Sequence, residues 1–284
     1  MESGVFVLVL LSAVGHAGWN LAARKVSGNF VVLWLSAWTG ALALTPVVLV
    51  VAFRAASWSW TPVGVACVIA TGVIHALYFI ALARAYSSGE ISVVYPIARG
   101  SGIGVTALLA WMLLSEEVSL PGALGIGLVF VGILVMGAPA FRRQGNVEGL
   151  RLALTVGLTI PAYSIIDKVG VSLVHPIVYI WFMYLLSALC LWPLIHWRHR
   201  GQAMGVWQQH RNYVLVIGLG ASLTYLAILF AYQLGPVGYI AALREVAVVI
   251  GAVLGIVFLK EEVSLAKLVA VAAIAAGVIC IKLG

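Results

Sequence analysis

Two arginines stand inside otherwise apolar stretches, Arg99 in VVYPIARG and Arg244 in GYIAALREVAV. A charged group at the centre of a membrane helix costs about 2.5–3.5 kcal/mol on insertion scales, so such residues normally face a cavity or a partner. Their guanidinium groups could hold a carboxylate bidentately. Equally, they could be structural, each paired with a glutamate or with helix-end carbonyls. Tyr95 precedes Arg99 by one turn, and Pro96 between them is expected to interrupt the helix and free a backbone carbonyl at membrane depth. Transporters use broken helices of this kind to hold solutes.

Other polar side chains recur at helical spacing within apolar runs. GHAGWN puts His16, Trp19 and Asn20 on one face, and TIPAY carries Tyr163 at the corresponding place of a later run. HALYF aligns His75, Tyr78 and Phe79, answered by SLTY with Ser222, Thr224 and Tyr225. Aromatic rings bearing a hydroxyl or ring nitrogen suit a ligand that is part apolar and part polar. The competing account is helix–helix glue, since buried His and Asn often bond across membrane interfaces. Tyr86 and Tyr232 fit an interfacial aromatic belt, and Asp167 with Lys168 is expected at a solvated helix end. No phosphate-binding loop, HExxH or nucleophile elbow occurs, and Cys67, Cys190 and Cys280 lack metal-ligand spacing. The expectation is a non-enzyme with no cofactor or metal.

The elements that must position these residues follow from composition. With 63% hydrophobic and 9% charged residues, the chain reads as an integral membrane protein. The net charge of +7 lies mostly between apolar runs, as loop charges that set orientation, so nucleic acid is excluded as a partner. Spanning hydrocarbon takes about 20 residues of helix. Ten runs meet that measure: Val5–Ala23, Phe30–Phe53, Pro62–Ala83, Ile91–Leu114, Leu120–Phe141, Leu150–Ile166, Pro176–Ile195, Tyr213–Tyr232, Val237–Leu259 and Leu265–Ile281. Only Arg142–Gly149 and His196–Asn212 are long enough for real loops. The first run lacks a basic leader and a small-residue cleavage pattern, and is expected to be retained.

The five residues EEVSL occur at Glu116–Leu120 and again at Glu261–Leu265. Around them Ser115–Met136 aligns with Lys260–Ile281, Arg99 with Arg244, Trp34 with Trp181 and Pro46 with Pro193. The chain therefore reads as two repeats, 1–143 and 144–284, of five helices each. An odd number inverts the second copy across the bilayer, the plan of secondary transporters, whose site lies near the midplane between halves that rock against each other. Adjacent helical residues point about 100° apart, so Arg244 and Glu245 cannot pair face to face. One of them needs another partner, for which the repeat interface is a candidate. The EEVSL glutamates are expected to hold the turn into the last helix of each half, beside the positive end of its dipole. The odd-numbered connections carry ten Lys and Arg against three in the even ones and the termini, which places both termini outside.

With LLSEEVSLPGALGIGLVFVGILVMG and FLKEEVSLAKLVAVAAIAAGVICIKLG closing its halves, the chain resembles the EamA branch of the drug/metabolite transporter (DMT) superfamily. The resemblance covers nearly the whole chain and is poor at substrate. It implies ten helices around a central cavity and export of amino acids or related metabolites without ATP. Many members keep both termini in the cytoplasm; here the charge count is followed instead. The resulting expectation is an all-α protein of ten transmembrane helices, two inverted five-helix repeats around a central cavity, in a bacterial-type inner membrane. It is a secondary exporter of a small amphipathic or zwitterionic solute such as a neutral or aromatic amino acid, with a monomer sufficing. The candidate lining is His16, Trp19, Asn20, His75, Tyr78, Tyr95, Tyr163 and Tyr225, with Arg99, Arg244 and Glu245 as the charged groups. A more anionic solute, a phosphonate or sugar phosphate, is the alternative within this class. A lipid-acting membrane enzyme or a structural membrane subunit are those outside it.

Overall fold

The computed structural model describes residues 2–26, 29–54, 60–87, 91–144, 147–259 and 263–284, with side chains at 24, 85–97, 139–150, 153, 254–255 and 257–259 outside the described residues. Hydrocarbon offers the backbone no partners, so a chain this apolar satisfies its N–H and C=O groups within helices. The helices are α1 (Ser3–Lys25), α2 (Phe30–Arg54), α3 (Pro62–Ser87), α4 (Ile91–Leu114), α5 (Leu120–Gln144), α6 (Val147–Leu173), α7 (Pro176–Arg198), α8 (Gln202–Leu234), α9 (Val237–Leu243), α10 (Val246–Leu259) and α11 (Leu265–Leu283). Among the described residues no strand occurs, and eight helices are long and apolar enough to cross a membrane.

Two expectations about continuity change. The helix α4 runs unbroken from Ile91 to Leu114, through Pro96. The break lies instead in the equivalent stretch of the second half, where α9 stops and α10 starts with Arg244 and Glu245 between them. There Glu245, Ala247 and Val248 donate to carbonyls three residues back rather than four, the tighter pattern of a helix interruption. Pro96 is the sixth residue of α4, so it forfeits the one bond to the Ser92 carbonyl, and the helix carries on across it. The supposed loop His196–Asn212 is also mostly helical: α8 begins at Gln202 after Gly201 (φ 77°), and bends at His210 (φ −123°, ψ 16°). Ala203, Met204 and the glutamines there are good helix formers. Their polarity ended the apolar run without ending the helix.

The halves pack mostly on each other, with α4 on α5 the main contact within a half, and in a pattern that largely survives exchanging them. α3 lies on α6 as α8 lies on α1, and α2 on α8 as α7 on α3, while α2 meets α7 and α5 meets α11. The last pair crosses antiparallel with backbones in contact. A Cβ built on Gly125 would stand 2.6 Å from the Gly277 carbonyl oxygen, one on Gly277 2.6 Å from that of Gly125, and Gly132 faces the Ala270 carbonyl at 3.0 Å. Small residues let membrane helices approach this closely. In the other self-paired contact Trp34 Nε1 donates to the Ala188 carbonyl (3.0 Å), and its counterpart Trp181 Nε1 donates back to Thr45 Oγ1 (3.0 Å).

The EEVSL stretches act through their serines. Ser119 Oγ accepts from the Gly122 N–H (3.1 Å) and Ser264 Oγ from the Lys267 N–H (3.3 Å), capping α5 and α11. Glu116 does hold a helix N-terminus, but that of α9 in the opposite half, accepting from Val237 N (2.8 Å) and Gly238 N (3.3 Å). This replaces the turn-holding role expected for it. Glu261 and Glu262 lie outside the described residues. Lys168, expected in solvent, is half-buried and bonds the carbonyls of Tyr232 and Gly235 at the C-terminal end of α8, where a cation complements the helix dipole.

Candidate functional site

A small cavity of about 50 Å³ lies between the halves, walled by α1, α3, α6, α7 and α8, with Arg244 lining it at the α9–α10 break. His16, Trp19, His75, Tyr78, Tyr163, Tyr225 and Arg244, seven of the residues singled out by spacing, line it. Phe79 and Thr224, from the same two faces, join them, as do Ser12, Met183 and Tyr184, which spacing alone did not mark. The aromatic wall is continuous: His75 lies 4.6 Å from Tyr163 and 5.5 Å from Tyr225, and Tyr163 lies 5.9 Å from Tyr225, centroid to centroid. His16 meets Trp19 edge-on at 4.8 Å.

Three of the remaining candidates are placed elsewhere. Asn20 Nδ2 donates to the His16 carbonyl (2.8 Å), a bond within α1, and Asn20 is absent from the lining. Arg99 and Glu245 are not lining residues either, because each is the other's partner. Arg99 Nε donates to Glu245 Oε2 (3.0 Å) and Nη2 to Oε1, with both side chains buried. This fork-to-fork geometry joins the two repeats and answers which residue Glu245 pairs with. The Tyr95 side chain lies outside the described residues.

Arg244 is left as the lone cation facing the cavity among the described residues. Its guanidinium sits 5.3 Å above the Tyr225 ring, a cation–π arrangement. It is buried, at 7% exposure, and makes no hydrogen bond or ion pair among the described residues. Its N–H donors are therefore not taken up by hydrogen bonds among the described residues.

His75 supplies the complementary group. Its Nδ1 lies 3.0 Å from the Thr71 carbonyl and 3.1 Å from Thr71 Oγ1. A carbonyl can only accept, so a bond to it places the proton on Nδ1, the tautomer in which Nε2 is free to accept. The same i−4 carbonyl fixes the ring's orientation.

Asp167 departs most from expectation. It is fully buried, not solvated. Oδ1 accepts from the Tyr179 hydroxyl (2.8 Å) and Oδ2 from the Tyr225 hydroxyl. The Tyr179 ring reaches it by crossing α6 at Gly170, where a Cβ would stand 2.3 Å from Tyr179 Cε2. Tyr225 thus touches the cavity, the Arg244 guanidinium and the Asp167 carboxylate at once. Tyr232, expected in an interfacial belt, is also fully buried, and its hydroxyl and that of Ser164 have no partner among the described residues. Asp167 was expected at a solvated helix end because its own polarity closed the hydropathic run at Ile166, whereas α6 continues to Leu173.

A multi-pass helical membrane protein with an amphipathic cavity between two similar halves fits a membrane transporter. The EamA-like transporter family matches residues 3–138 and 147–283, so the chain belongs to that family, within the DMT superfamily. Among solved structures, one described as a crystal structure of a protein superposes with a TM-score of 0.77, covering 100% of this chain and 98% of that one at 17% identity. That likeness is one of fold. No curated protein matches the chain.

Proposed function

We propose that the chain is a secondary exporter of a small zwitterionic or amphipathic carboxylate, most simply a neutral or aromatic amino acid, built from ten spans in two inverted repeats and acting in the inner membrane. The observation that carries this reading is the charge arrangement around the cavity. Of the two arginines at equivalent positions, Arg99 is consumed by Glu245 and only Arg244 faces the space. A single guanidinium matches one carboxylate. A phosphonate or sugar phosphate with its larger negative charge would be better served by two free arginines, so the zwitterion is favoured over that alternative. His75 Nε2 offers an acceptor for an ammonium group, and the rings of Tyr78, Tyr163 and Tyr225 offer apolar surface for the side chain.

Inversion of the repeats is supported by the antiparallel crossing of α5 with α11 and by packing that largely survives exchange of the halves. In that plan a helix interruption beside the midplane cavity is a recurrent device for holding solutes. The test is solute counterflow in proteoliposomes, with L-phenylalanine and a panel of L-amino acids set against an alkyl phosphonate. Uptake of amino acids and not of the phosphonate is expected. Uptake of the phosphonate alone would move the assignment to anionic solutes.

A further inference from the structure

We infer that Asp167 is a proton-binding site of the transporter, exchanging with the cavity through the Tyr225 hydroxyl. The inference rests on the cavity being the transport site. An ionised carboxylate in the dry core of a membrane bundle is costly, and proteins commonly retain such groups for proton relays. Both oxygens of Asp167 are held by neutral hydroxyls rather than by a cation, and among the described residues no cationic side chain forms an ion pair with it. An ion pair would lock the charged form, as Glu245 locks Arg99. Two tyrosine donors leave the neutral form accessible.

The groups facing Asp167 are Cys67, Thr71 and His75 from α3, Tyr179 from α7 and Tyr225 from α8. Lys168, its neighbour on α6, is directed to the end of α8. Arg99 of α4 is bound to Glu245, and Arg244 lies beyond the Tyr225 ring. Protonation needs a hydronium delivered through the cavity. The Tyr225 hydroxyl passes its proton to Oδ2 while its oxygen accepts one from the hydronium, so the phenol ends unchanged, a water is released and Asp167 ends neutral.

The same wall of the cavity ties the proton to the solute. A zwitterion bound with its carboxylate at Arg244 and its ammonium at His75, which faces Asp167, brings positive charge beside that carboxylate, so solute binding and protonation oppose each other, the linkage that exchange of an outgoing solute for an incoming proton requires. Infrared difference spectra of the reconstituted protein, taken between alkaline and acidic buffer, read this directly. A protonated-carboxyl band is expected in the wild type and is lost in Asp167→Asn. Tyr179→Phe, which removes the Oδ1 bond and leaves the cavity intact, should move the band to higher frequency. Adding L-phenylalanine in weak buffer, at a pH where the band shows Asp167 protonated, should cause proton release by the wild type and none by Asp167→Asn. Identical spectra for wild type and Asp167→Asn overturn the inference. Should Asp167→Asn not remain monodisperse, an unmoved band in Tyr179→Phe overturns it. A titrating band without a phenylalanine response upholds the proton site and counts against the amino-acid reading alone.

Discussion

Arg99 and Glu245 stand 146 residues apart in the chain and form a bidentate ion pair across the two repeats, at the point where the second repeat's helix is interrupted. Removing one partner strands a buried charge, at a cost of about 3–5 kcal/mol, whereas removing both can be close to neutral. Glu245→Gln should therefore lower the thermal midpoint of the detergent-solubilised protein strongly. The double substitution Arg99→Gln with Glu245→Gln should recover most of the loss. A double variant no more stable than the single one would show that the pair does not act as a unit.

Arg244 differs from Arg99 in having no partner to strand. Arg244→Gln is expected to stay monodisperse with a thermal midpoint near that of the wild type, while weakening binding of a carboxylate solute. A charge-assisted bond contributes about 1.5–3 kcal/mol, corresponding to roughly a tenfold to hundredfold loss of affinity. Competition of amino acids against labelled L-phenylalanine in counterflow measures it. Phenylalaninamide, which lacks the carboxylate, should compete equally poorly with wild type and variant.

Glycines of α5 test the crossing with α11. Gly125→Ala drives a Cβ to 2.6 Å from the Gly277 carbonyl, whereas Gly127, on the same helix, has nothing within 4 Å. Overpacking typically costs about 1–3 kcal/mol. Gly125→Ala should be measurably less stable in thermal unfolding and Gly127→Ala indistinguishable from wild type; equal behaviour of the two would contradict the contact.

Glu116 serves as an end cap for a helix in the other half, and Glu116→Ala removes two acceptors from the start of α9. Loss of an N-cap costs about 1 kcal/mol. Hydrogen exchange at Val237 and Gly238 should accelerate in this variant while amides of α2 and α7 stay protected. Unchanged exchange at the two capped amides would dismiss the contact.

Much of this organisation was readable in the residues. Arginine, tryptophan and the EEVSL pair stand out against an apolar background, so the repeat and its offset could be recovered without coordinates. Polar faces at i, i+3 and i+4 located the cavity wall on α1, α3, α6 and α8, because helical geometry alone decides which side chains share a side. What escaped were matters of pairing and depth. Hydropathy closes a run at its first charged residue, which put Asp167 outside a helix that continues seven residues further. Proline marks a possible break, but α4 runs on through Pro96, and the interruption fell at Arg244 and Glu245 instead. No local rule indicates that Glu245 belongs to Arg99, or that Glu116 reaches across to α9, since both depend on how the halves meet.

The way the halves meet also bears on how the protein is made. α3 finds its neighbours in α6 and α7, α1 and α2 find theirs in α8, α4 packs on α6 as well as α5, and α5 finds its closest in α11. A nascent chain complete to residue 144 therefore holds α4 against α5, while most other partners of its five helices have not yet emerged. Until they do, Arg99 has no Glu245 and the glycine face of α5 looks onto lipid. The first repeat must wait in the bilayer, or beside an insertion factor, and assembly is completed only when the C-terminal helix arrives.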